Sequence, residues 1–140
     1  MKDVIDHFSG KDIIITFFGA FLVSAGFIFK GNLLFISQKL SIYHLFFIVM
    51  ATIFVLSLEI YFLGYSRVRK KSKRPFDQFL LKRVACIYSV SIIVSTILVF
   101  IYNIDKIVAD GNQMSILKII ISVSFPSSIG AAMTDLFKKF

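Results

Sequence analysis

Apolar residues run along this chain in four blocks, about Ile13 to Phe29, Ile42 to Tyr65, Leu80 to Asn103 and Ser115 to Phe137. Crossing a hydrocarbon core takes roughly 20 apolar residues in a helix, so each block predicts a transmembrane helix. The connections between them are short and leave no room for a soluble catalytic or ligand-binding domain. The pattern therefore predicts one domain over 1–140, an all-α bundle of four spans. Ahead of the first block, Val4, Ile5 and Phe8 recur at helical spacing among Lys2, Asp3, Asp6 and His7, which predicts a short helix lying on the membrane surface. Asp3, Asp6 and Asp12 precede the first span and no small-x-small cleavage site follows it, so it is read as a retained helix rather than a signal peptide. In the first connection, Leu33, Leu34, Phe35 and Ile36 follow the Gly31-Asn32 break and are expected to dip into the outer interface or cap the bundle.

Composition agrees with this pattern. Hydrophobic residues make up 57% of the chain, with 17 Phe and no Trp, and the mean hydropathy is +0.84. An ordinary soluble domain does not reach such values. The protein is thus expected in the cell membrane as a multi-pass protein, with the lipid bilayer as its first partner. Cys86, the single cysteine, lies inside the third block and admits no intrachain disulfide.

Charge sets the orientation. Arg67, Arg69, Lys70, Lys71, Lys73, Arg74, Lys82 and Arg83 surround the connection between spans two and three, and Lys2, Lys11, Lys138 and Lys139 fall on the same side. Lys30, Lys39, Lys106 and Lys118 fall on the other. Because basic residues collect on the cytoplasmic face, both termini are expected inside, and twelve against four argues against dual insertion. A basic cluster beside a membrane attracts anionic lipid headgroups, and Arg67, Arg69, Lys70, Lys71, Lys73 and Arg74 are the candidate contacts. No stacking platform or nucleic-acid-binding fold accompanies them, so nucleic acid is not an expected partner.

The polar groups inside the blocks carry the candidate chemistry. Glu59 lies roughly 9 Å to the cytoplasmic side of the midplane of span two, and Asp135 roughly 13 Å to the same side in span four. An acidic group near the bilayer centre costs about 2.5 to 3.5 kcal/mol on insertion scales, so it should face a cavity, the bundle interior or a partner. Ser124, Ser128, Ala131 and Asp135 fall within about 60° of one another on span four. Thr52 and Glu59 share a face of span two. Cys86, Ser89 and Thr96 share one on span three. Pro126 interrupts span four, removing the N–H that would have bonded the Ser122 carbonyl, and Gly130 with its small neighbours follows. In one reading these stripes line a cation pathway, with Glu59 and Asp135 binding the ion and hydroxyls and the Ser122 carbonyl as oxygen ligands. In the other, Glu59 is neutral or paired with Arg83 or Lys82, and Asp135 rests at the interface beside Lys138 and Lys139.

No HExxH, CxxC, glycine-rich phosphate loop or nucleophile constellation occurs, so neither an enzyme, a cofactor nor a resident metal is expected. The segment FPSSIGAAMTD, Phe125 to Asp135, resembles the Pro-small-small-Ile-Gly-Ala signature of a family of uncharacterised prokaryotic multi-spanning membrane proteins, a domain of unknown function. The resemblance implies a polytopic integral membrane protein and carries no site residues. The expectation is a small ion channel or transporter, for inorganic cations, assembled as a homo-oligomer through small-residue faces on spans one and four. The alternative is a membrane scaffold, assembly or lipid-binding protein that works through the basic hairpin.

Overall fold

The structure is a computed structural model that describes residues 10–64 and 76–137. The predicted surface helix before residue 10 lies outside the described residues. So do Arg67, Arg69, Lys70, Lys71, Lys73 and Arg74 of the basic hairpin, and Lys138 and Lys139. Helix α1 spans Gly10–Lys30, α2 Asn32–Lys39, α3 Ile42–Glu59, α4 Phe76–Ile101, α5 Ile104–Ile107 and α6 Gln113–Phe137, and a π-helical segment at Ile60–Gly64 continues α3. No strand occurs among the described residues. Among the described residues four helices are long and apolar enough to cross a membrane, over Gly10–Lys30, Ile42–Phe62, Leu80–Ile101 and Gln113–Asp135. These are the four blocks of the hydropathy pattern.

Local chemistry sets the breaks. Gly31 takes a left-handed conformation with φ 71°, which glycine adopts without steric cost, and ends α1 before α2 begins. Ser41 precedes α3 in an extended conformation, and its hydroxyl lies 2.8 Å from His44 Nδ1, tying the first turn together. The four residues Leu33 to Ile36 belong to α2, which packs against α6 and α1. Leu34 and Ser37 are buried while Phe35 and Ile36 face outward, and the Gln38 side-chain amide donates to the Val108 carbonyl. Of the two roles expected for this segment, the inward face of α2 takes that of a cap.

Helix α6 is the centre of the bundle. It packs against α1, α4, α3 and α2, and 56% of its membrane-length window is buried, against 22% for α3. The tightest crossing is with α1, at Gly19 and Gly130. A Cβ on Gly130 would stand 2.6 Å from the Gly19 carbonyl oxygen and 2.6 Å from Val23 Cγ2, so neither position has room for a side chain. Small residues let helix backbones approach in this way, gaining dispersion contacts that lipid cannot supply. This revises one expectation: these small-residue faces of α1 and α6 are consumed against each other within one chain and are not left over for contact between subunits. Gly26, two turns further along α1, meets nothing within 4 Å. Helix α3 instead turns Phe46, Phe47, Phe54 and Phe62 outward, the apolar surface a lipid-facing helix requires.

Candidate functional site

Glu59, Arg83 and Asp135 lie toward the end of the bundle where α3 finishes, α4 begins and α6 finishes. Asp135 is 1% exposed and accepts from Arg83 of α4, whose Nε lies 2.9 Å from Asp135 Oδ2 and whose Nη2 bonds the same oxygen. Arg83 is itself buried. Asp135 is enclosed within the bundle, while Lys138 and Lys139 beside it lie outside the described residues; the pairing of Arg83 with Glu59 does not hold, since the guanidinium pairs with Asp135. A guanidinium presents several donors in a fixed fork and stays charged, so it offsets the carboxylate in a place where an isolated charge would be costly. Asp135 Oδ1 is buried with no hydrogen-bond partner.

Glu59 stands apart from that pair. It is half-buried at the last residue of α3, and its Oε2 is buried without a hydrogen-bond partner. Neither Arg83 nor Lys82 makes an ion pair with it, and Lys82 is exposed. The next residue, Ile60, is fully buried and opens the π segment, which packs against α4 and α6. A π segment widens the turn by one residue, shifting the side chains on either side of it relative to a continuous α-helix.

The hydroxyls follow one rule with two exceptions. Thr52 donates to the Ile48 carbonyl at 2.7 Å, Ser124 to Ile121 at 2.7 Å and Ser128 to Phe125 at 2.7 Å, each within its own helix. Such back-bonding is how Ser and Thr are satisfied inside lipid-embedded helices. Ser127 crosses instead to the Ser91 carbonyl of α4 at 3.3 Å. Ser122 is buried and its Oγ has no partner. Pro126 does not split α6, which continues helically from Gln113 to Phe137 through the proline. On α4 the stripe expected to be polar and inward, Cys86, Ser89 and Thr96, is not buried. Ser91 and Ser95 hold the inward face, within a stripe of Val84, Ile87, Val94 and Leu98. That stripe has the three-and-four spacing of a buried helix face and is legible in the sequence on that ground. Among the described residues no group of three or more His, Cys, Asp and Glu is placed to hold a metal ion.

Four apolar membrane-length helices, with breaks fixed by glycine and short caps, define a polytopic helical membrane protein. Residues 2–137 match the family described as "Putative integral membrane protein (DUF2391)", and the chain belongs to that family. Neither a curated protein nor a solved structure is similar enough to match it.

Proposed function

We propose that the protein transports a small inorganic cation, with Glu59 as the carboxylate that binds it. One observation carries this reading: Glu59 Oε2 is buried in a membrane-spanning segment with no protein partner. A carboxylate in that position is costly unless solvated, neutralised or paired, and an exchangeable cation is a partner that arrives and leaves. The π segment that starts at Ile60 supports the reading, since such segments recur at functional sites. Asp135 takes a different part, because Arg83 already neutralises it. It fixes α6 to α4 and is not a second ion ligand. The path does not follow the bundle axis, which α6 fills; it runs along α3, the least covered span. A second copy of the chain would supply the opposite wall of such a path, which is the ground for a homo-oligomer.

Glu59→Gln keeps the shape and removes the charge. Purified parent and variant would be compared by thermal melting in detergent and by sodium, potassium and proton flux in liposomes. The expected result is a variant that melts no earlier than the parent and has lost flux. A variant that melts early, with flux per folded protein unchanged, removes Glu59 from the pathway.

A further inference from the structure

Nine buried or helix-facing hydroxyls of the described spans and their cap, those of Thr16, Ser24, Ser37, Thr52, Ser91, Ser95, Ser124, Ser127 and Ser128, each donate to a backbone carbonyl. Ser122 does not, although it is 3% exposed and sits inside the most buried helix. The same residue carries a second unmatched group. Its carbonyl is the one whose regular helical donor would be the N–H four residues later, and that residue is Pro126. One residue near the middle of α6 thus presents a hydroxyl without a partner and a carbonyl without its regular helical donor. The two observations are independent, since the first is the placement of a side chain and the second follows from the covalent structure of proline.

We propose that the Ser122–Pro126 turn of α6 is a binding site for a single buried water molecule. Water is the ligand whose valence fits. It accepts one bond from the Ser122 hydroxyl and donates one to the Ser122 carbonyl, and its second hydrogen reaches the spare lone pair of a neighbouring helical carbonyl. Buried waters are held by two to four such bonds, and ordered water is one of the means by which proline-containing membrane helices recover the lost backbone bond. A divalent metal cation requires more oxygens than this turn offers, six or more for calcium and an octahedron for magnesium. The hydroxyls of Ser124 and Ser128, on the same helix, are already turned to Ile121 and Phe125. This site is distinct from Glu59 and does not depend on transport.

The test is water-edited solid-state NMR of the protein in liposomes of neutral lipid, reading the transfer of magnetisation from water to each backbone site of α6. The expected result is rapid transfer to Ser122 and slow transfer to Ile119 and Val123, which flank it and are fully buried. Pro126→Ala restores an N–H donor to the Ser122 carbonyl, and Ser122→Ala removes the hydroxyl; each should reduce the transfer at position 122 by at least half while the remaining spectrum of α6 is preserved. Transfer to Ser122 no faster than to Ile119 and Val123 overturns the proposal. So does transfer in Pro126→Ala equal to that of the parent. If either variant fails to fold, the parent alone still decides, through the contrast between Ser122 and its two neighbours. Replacing sodium and potassium in the buffer by choline should leave the Ser122 resonance unchanged, and a shift of it would assign the site to a metal cation and overturn the water assignment.

Discussion

The Arg83–Asp135 pair is the residue on which the charged end of the bundle turns. Both side chains are buried, and Nε and Nη2 of the guanidinium converge on a single carboxylate oxygen. Removing one member of a buried pair leaves the other charged and desolvated, at a cost of about 3 to 5 kcal/mol, whereas replacing both by apolar groups of similar volume is often neutral or stabilising. Asp135→Asn is therefore expected to lower stability by about that amount, and Arg83→Met with Asp135→Leu to recover most of it. Reversible unfolding in mixed micelles checks both. If the single and double variants were equally destabilised, the pair would not be the source of the cost. The sequence put Arg83 and Asp135 on the same side of the membrane but did not pair them, because helical periodicity gives the height of a residue along its own helix and not which neighbour it faces. Glu59 was legible for a different reason: an acidic residue in an apolar run stands out whatever surrounds it.

At the scale of the element, the four spans could be read directly, since their length and apolarity are set by the bilayer and owe nothing to tertiary contacts. What could not be read was which small residues meet. Gly19 and Gly26 look alike in the sequence of α1, yet a Cβ at Gly26 meets nothing within 4 Å while one at Gly130 would strike the backbone of α1 at Gly19. The choice between them is made by the crossing point of two helices, a property of the assembled bundle. This yields a paired prediction. Gly130→Ala should force α1 and α6 apart and destabilise the bundle by about 1 to 3 kcal/mol, the usual range for overpacking. Gly26→Ala should be harmless or slightly stabilising, because it only improves helix propensity, by up to about 1 kcal/mol on soluble-helix scales. Thermal melting of the two variants in the same detergent decides, and equal destabilisation would mean that the crossing is not the tight contact.

The whole molecule is polar along its long axis. One end is closed by the short helix α2, whose Leu34 and Ser37 are buried and whose Gln38 is tied to the turn at Val108. The other holds Glu59, Arg83 and Asp135. Twelve of the sixteen Lys and Arg residues fall, on the sequence reading, at this charged end, and translocation of short basic segments across a membrane is disfavoured. The capped end is therefore expected to face away from the cytoplasm, which places Glu59 within reach of cytoplasmic water and beneath a lid of apolar residues on the opposite side. The prediction is read by single-cysteine labelling in intact cells on a Cys86→Ala background. Gly10 and Lys106 are suitable positions, since both are exposed and Gly10 has no neighbour within 4 Å to disturb. Lys106→Cys should react with a membrane-impermeant maleimide added outside, and Gly10→Cys only after the membrane is opened. The opposite pattern would place the charged layer outside and reverse the side from which a cation reaches Glu59. Labelling of both positions from outside would indicate dual insertion, which the distribution of basic residues argues against.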